Sequence, residues 1–246
     1  MTDDLWEEHA AWWIEGFTDG ADPEYEEQIV PMAIRELAGY GRILDVGCGD
    51  GQIGRAIASA HGSCVVGLDP TWNQVKVADQ RSRARAELDT SILQGEAARL
   101  PFGDGVFDAA VACLVFEHIV DVDSAISEIS RTLRPGGRFA FFLNHPLLQT
   151  PGSGWIDDQI LDPPEQYWRI GDYLVEEHTV EEVEKDVFIP FIHRPLSRYV
   201  NTLVRHGFVL TGMEEPAPPP GFLARAAEYE AAATIPRLLY LRSEKR

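Results

Sequence analysis

The apolar positions of this chain switch repeatedly between a strand-like and a helix-like rhythm. Ile43, Leu44 and Val46 form a short apolar run that suits a buried strand, and Ile53, Ala56, Ile57 and Ala58 give residues 52–60 the spacing of a helix. The same alternation recurs downstream. Residues 64–68 (CVVGL) read as a second buried strand, 73–88 as a helix bearing Arg81, Arg83 and Arg85, 91–94 as a short third strand, and 109–114 as a fourth. An amphipathic helix is expected over 122–133, halting at Pro135-Gly136-Gly137, with a fifth strand over 138–143. Strands alternating with helices in this way predict an α/β fold with a parallel sheet covered on both faces.

Three stretches stand outside the alternation. Residues 1–41 are helical in pattern and aromatic, with Trp6, Trp12, Trp13, Phe17 and Tyr25; Asp22-Pro23 starts a second helix there, reaching about residue 38 with Ile29, Val30, Ala33, Ile34 and Leu37 on its apolar face. Residues 145–195 are too long for an ordinary connection. They hold Pro146, Pro151, Pro163 and Pro164 beside Trp155, Tyr167 and Trp168, and extra strands are expected over 173–182 and 183–189. Residues 216–221 (PAPPPG) are irregular and precede a short helix expected over 223–232. We read residues 1–246 as one domain carrying an insertion at 145–195.

The chemistry is concentrated at 43–54, ILDVGCGDGQIG, where strand, glycine turn and helix follow one another. That arrangement brings a ligand against bare backbone at a helix N-terminus, and glycine leaves room because it has no Cβ. Gly49-x-Gly51-x-x-Gly54 also fits a dinucleotide turn, with the acid Asp69 about 20 residues on. Asp45, at the strand's end, would repel a pyrophosphate but would welcome a ligand carrying an ammonium and a sulfonium.

The phrase DVGCGDG resembles motif I of the class I S-adenosylmethionine-dependent methyltransferases. Asp69, GEAARLPFGDGVFD (95–108) and LRPGGRF (133–139) follow in the order and spacing of that family over roughly residues 40–145, most like the small-molecule methyltransferases of ubiquinone and menaquinone biosynthesis. The resemblance implies a Rossmann-like sheet of seven strands in the order 3-2-1-4-5-7-6, strand 7 antiparallel, which a helix over 196–206 and strands over 208–214 and 237–242 would complete, with the insertion after strand 5 capping the substrate site. It implies S-adenosyl-L-methionine as cofactor. Asp45, Gly47, Cys48, Gly49 and Gly51 would hold its methionine portion, Asp69 its ribose hydroxyls, and Pro70, Thr71 and Trp72 its adenine. Glu96-Ala97 stands where the family usually has Asp-Ala and would meet the adenine amino group, and Leu114 would lie near the methionine chain.

A base is needed only if the acceptor is a hydroxyl or a protonated amine. His145, just after strand five, is the first candidate, because a histidine's ordinary pKa near ~6.5 suits proton removal; His193 and His118 are the others, and each also has a structural reading. Trp13, Tyr25, Trp155, Tyr167 and Trp168 are expected to line or cover the substrate cavity, although core packing is the stronger reading of the N-terminal aromatics.

Composition narrows the partners. With 21 basic and 40 acidic side chains the net charge is −19, which repels phosphate backbones, so the expected acceptor is a small molecule and not a nucleic acid. The 45% hydrophobic content supports a large core, yet no apolar run is long enough to span a bilayer. The acidic N-terminus lacks signal-peptide character, and Cys48, Cys64 and Cys113 have neither metal-ligand spacing nor an even count, so a cytoplasmic protein without a metal is expected. Oligomeric state is not legible. A methyltransferase-like binding protein without turnover and an NAD(P)-dependent oxidoreductase are the alternative functions.

Overall fold

The computed structural model describes residues 3–229 and 231–246. Helices α1 (Asp3–Glu8) and α2 (Ala10–Phe17) open the chain, and a π-helical turn, Tyr25–Ile29, runs into α3 (Val30–Glu36). Asp22 Oδ1 accepts from the amides of Glu24 and Tyr25 at 2.8 and 3.1 Å, which starts the turn. Pro31 gives a reason for its width: inside a helix a proline removes one N–H and crowds the carbonyl four residues back.

Next come β1 (Arg42–Val46), α4 (Gln52–His61), β2 (Cys64–Asp69), α5 (Trp72–Arg83), β3 (Thr90–Gln94), β4 (Phe107–Cys113), α6 (Val122–Thr132) and β5 (Leu133–Asn144). Helix α5 stops short of the expected residue 88 because Leu88 turns inward against the cluster that holds Ile57 and Val65. The Pro-Gly-Gly after α6 lies within β5 and not before it. At Gly137 the chain runs so close to β4 that a Cβ would sit 3.1 Å from the Asp108 carbonyl oxygen, and the β4–β5 register shifts at this place.

The insertion forms two antiparallel hairpins, β6 (Gly154–Asp158) with β7 (Glu165–Arg169), and β8 (Glu177–Glu184) with β9 (Val187–His193). The first was not expected from the sequence. The second has its turn near Asp186 (φ 63°), a few residues later than expected, since aspartate tolerates left-handed backbone better than the β-branched residues before it. Helix α7 (Leu196–Arg205), β10 (Phe208–Glu214), α8 (Pro220–Arg225) and β11 (Leu238–Lys245) follow. The helix expected over 223–232 is the earlier, shorter α8, and residue 230 lies outside the described residues.

The large sheet has the order β3-β2-β1-β4-β5-β11-β10, parallel except for β11, which is antiparallel to both neighbours. Its period-2 alternation divides the core. Leu44, Val46, Ala110, Ala112, Phe139 and Phe141 face α6 and α7, while Ile43, Ala109, Val111, Ala140 and Phe142 face α3 and α4. The chain order reverses between β1 and β4, and ligands of open α/β sheets bind at the carboxyl ends of such strands. No helix among the described residues is long and apolar enough to cross a membrane.

Candidate functional site

At that reversal a cavity of about 430 Å³ opens, within the size range of small-molecule sites. Its floor is the glycine turn. Gly47 (φ 68°) and Gly49 (φ 53°) take left-handed backbone that favours glycine. A Cβ on Gly47 would collide with Val115, whose own Cβ would lie 2.8 Å away; one on Gly49 would meet nothing nearer than Trp13 Nε1 at 3.8 Å, and would project into the cavity.

Three buried carboxylates hold the turn. Asp45 Oδ2 accepts from the Gly54 amide at 3.1 Å. Asp69 accepts from the Gly49 amide through Oδ2 and from the Thr71 amide through Oδ1, both at 2.9 Å, so one side chain ties the β1 turn to the β2 turn. Asp50 is neutralised from behind by Arg55 at 2.9 Å and by Arg81. Burial pushes Asp45 up to about 7, against the Gly54 hydrogen bond, with Asp69 and Asp50 adding to the rise. Asp69 is raised too, chiefly by burial.

Asp45, Gly47, Cys48, Gly49, Asp69, Pro70, Thr71, Glu96, Ala97 and Leu114 all line this cavity. Gly51 does not: it caps α4 from behind, where its Cβ would press on Arg55 and Ala78. Trp72 is half exposed and outside as well. Leu114 has φ 52°, an uncommon conformation for leucine that costs roughly 1–2 kcal/mol. The strained residue sits where β4 ends, at the wall of the cavity.

The opposite wall is aromatic. Trp13 and Tyr25 line it, as does Trp6, with ring centroids 5.6 Å apart for Trp6–Trp13 and 6.2 Å for Trp13–Tyr25. Trp155, Tyr167 and Trp168 do not reach it. Trp155 stacks on Tyr229 at 4.9 Å with Trp168 edge-on, and Tyr167 is exposed. The segment over the cavity is α1–α2 instead, strapped down by the Glu7 carboxylate on the Asn73 amide at 3.1 Å and by Trp12 Nε1 on Glu184 at 2.5 Å.

Of the three histidines only His118 faces the cavity. Its Nδ1–H donates to the Pro190 carbonyl at 2.7 Å, which leaves Nε2 as the unprotonated nitrogen, and burial pulls its pKa down to about 4. His145 is buried outside the cavity with both nitrogens engaged: Nε2–H donates to Glu215 at 2.7 Å, and Nδ1 accepts from the Leu147 amide at 3.1 Å. His193 is buried as well, donating through Nε2 to the Tyr173 carbonyl at 2.8 Å.

Sequence reading did not single out Asp50, Glu7, Gln74 or the wall residues Val115, Ile119 and Val120. Asp50 had a signal, an acid inside the glycine turn with arginines at 55 and 81 to neutralise it. Arg194 acts from behind. Wholly buried, it donates to the carbonyls of Phe116, Ile119 and Val120 at 2.9, 2.8 and 3.0 Å, and pairs with Glu176 at 2.9 Å. It thereby shapes the loop that carries His118. No cluster of three or more metal-ligating side chains occurs among the described residues.

Comparison with known proteins agrees with this geometry. A family model described as a methyltransferase domain matches residues 44–141. Demethylmenaquinone methyltransferase of Thermus thermophilus is 34% identical over 120 residues, 48% of this chain and 53% of that one. The 27-O-demethylrifamycin SV methyltransferase of Amycolatopsis mediterranei is 32% identical over 148 residues, 57% of this chain and 53% of that one. The chain thus spans about half the length of the curated relatives it matches. A crystal structure of an S-adenosylmethionine-dependent methyltransferase from Mesorhizobium loti superposes with a TM-score of 0.76 at 25% identity, covering 92% of this chain and 99% of that one. Residues 44–141 thus match a methyltransferase domain, and the strand order and fold are those of the class I S-adenosylmethionine-dependent methyltransferases.

Proposed function

We propose that this protein transfers the methyl group of S-adenosylmethionine to a small-molecule acceptor. The observation that carries the reading is the pair of buried carboxylates, Asp45 and Asp69, at the ends of neighbouring strands around a glycine turn whose Gly49 opens on the cavity. A cofactor bearing an ammonium, a sulfonium and a ribose diol fits this donor set. The dinucleotide reading is disfavoured by the same residues, since a pyrophosphate at Gly49–Gly54 would sit among Asp45, Asp50 and Asp69.

Asp45 and the turn backbone would hold the methionine portion, Asp69 the ribose, and Pro70, Thr71, Glu96 and Ala97 the adenine. Bound there, S-adenosylmethionine supplies a methyl carbon on a positively charged sulfur that departs as a neutral thioether. The chain's part is to orient the acceptor and exclude water: Trp6, Trp13 and Tyr25 close one side, and Leu114 and Val115 press from the end of β4. Proton removal falls to His118 Nε2, held in place by Pro190. His145, bonded to the Glu215 carboxylate and the Leu147 amide, and His193, bonded to the Tyr173 carbonyl, lie outside the cavity.

Calorimetry tests the reading directly. S-adenosylhomocysteine should bind and NAD should not, and Asp69→Ala should weaken binding by about 1–3 kcal/mol through lost charge-assisted hydrogen bonds. Unchanged affinity in that variant would remove Asp69 from the site. A binding-only protein would pass this test and fail to transfer a labelled methyl group.

A further inference from the structure

The acceptor's chemistry can be narrowed from the charges around the cavity, an inference that rests on the methyltransferase reading above. Among the described residues the walls carry six carboxylates, Glu7, Asp45, Asp50, Asp69, Glu96 and Asp121, and no lysine or arginine. The arginines packed behind them are already committed. Arg55 and Arg81 pair with Asp50, and Arg194 is bonded to three carbonyls and to Glu176. A phosphate or carboxylate on the acceptor would therefore lose its water and meet no cation, a cost that an uncharged molecule escapes. The cofactor's own carboxylate is different, because it arrives with an ammonium and a sulfonium on the same molecule.

The acceptor side of the cavity offers flat apolar faces and, at His118 Nε2, an acceptor suited to a hydroxyl proton. Trp6 stands edge-on to both Trp13 (5.6 Å, 76°) and His118 (4.8 Å, 77°), so the rings form one continuous wall. With Nδ1–H given to Pro190, His118 Nε2 can only accept. No hydrogen bond among the described residues takes up that nitrogen.

We infer that the acceptor is an uncharged hydroxyl compound with a flat apolar body, carrying neither phosphate nor carboxylate, bound by ring contact and by donation of its hydroxyl to His118 Nε2. In the transfer its oxygen gains the methyl carbon, its proton passes to Nε2, and the electron pair of the broken carbon–sulfur bond stays on sulfur.

The test needs no knowledge of the true acceptor. Protein saturated with S-adenosylhomocysteine is titrated with 2-naphthol, 2-naphthoate and 2-naphthyl phosphate, following tryptophan fluorescence and calorimetric heat. The naphthol should bind about tenfold or more tightly than either anion. The preference should persist at about 1 M salt, where the screening length is about 3 Å and the field of the acidic surface is suppressed. Val120→Lys, at an exposed position on the rim, should raise naphthoate affinity severalfold. His118→Gln should weaken naphthol binding and leave S-adenosylhomocysteine affinity as it was.

Equal binding of the anions, a preference that disappears in salt, no binding of the naphthol, or indifference to His118→Gln would each overturn the inference. Failure of S-adenosylhomocysteine itself to bind would instead overturn the methyltransferase reading on which it rests.

Discussion

At Asp45 the proposed recognition of the cofactor meets the cost of burial. Its carboxyl titrates near 7 in the folded protein because burial disfavours the charge. A cationic ligand binds the ionised form, so affinity for S-adenosylmethionine should rise with pH, by up to about tenfold between about pH 6 and about pH 8. Asp45→Asn should flatten that profile in calorimetric titrations. The same shift affects stability. The native state holds a proton that the unfolded chain has already lost above 3.8, so stability declines as pH rises from there toward 7, and Asp45→Asn should remove this decline. Gly47 is set by backbone geometry. Gly47→Ala combines a left-handed backbone with a clash against Val115, and should cost about 2 kcal/mol or more in urea unfolding. Gly49→Ala, with open space around its Cβ, should damage cofactor binding more than folding.

Among the elements, the pairing of the β8–β9 hairpin with the loop after β4 decides which histidine lines the cavity. Strand β9 supplies the Pro190 carbonyl to His118, and the residue just beyond it, Arg194, gathers the carbonyls of the His118 loop. Arg194→Met would leave those carbonyls buried and unpaired and should destabilise the protein by roughly 3 kcal/mol or more, read by thermal unfolding. Helices α1 and α2 are tied to α5 through Glu7 and to the β8–β9 hairpin through Trp12. We propose that they, and not the β6–β7 hairpin, act as the cover. Hydrogen exchange should slow in residues 3–17 and 114–121 when S-adenosylhomocysteine binds, and stay unchanged in 154–169. Protection confined to 154–169 would return the role of cover to that hairpin.

For the molecule as a whole, the net charge of −19 acts at long range. It should speed the approach of a cation and leave a net-neutral ligand nearly unaffected. S-adenosylmethionine carries one more positive charge than its demethylated product. Its association rate, measured by stopped flow, should fall severalfold between about 0.05 M and about 0.5 M salt, with a much weaker trend for S-adenosylhomocysteine. Equal salt slopes for the two would show that the surface charge plays no part in capture.

The sequence alone determined whatever is encoded within one strand, turn or helix. The apolar run of β1, the glycines after it and Asp69 at the end of β2 place the side of the cavity proposed to take the cofactor, because backbone conformation and period are local properties. The alternation of period also predicted the parallel sheet, with five of its strands recognisable by hydrophobic runs. What lay beyond reach depends on partners far along the chain. His145 and His118 each end a strand-to-loop passage and look alike in sequence. Glu215, 70 residues away, takes up the first, while Pro190, 72 residues away, orients the second beside the cavity. Trp155 and Trp168 have the composition of a lid, yet their faces are claimed by Tyr229 and by each other. For Arg194 the sequence leaves a surface and a carboxylate-binding role equally open, and only the fold brings three loop carbonyls onto it. Tertiary structure decided these assignments because a side chain's role follows from which neighbour satisfies it, and the folded topology alone brings those neighbours together.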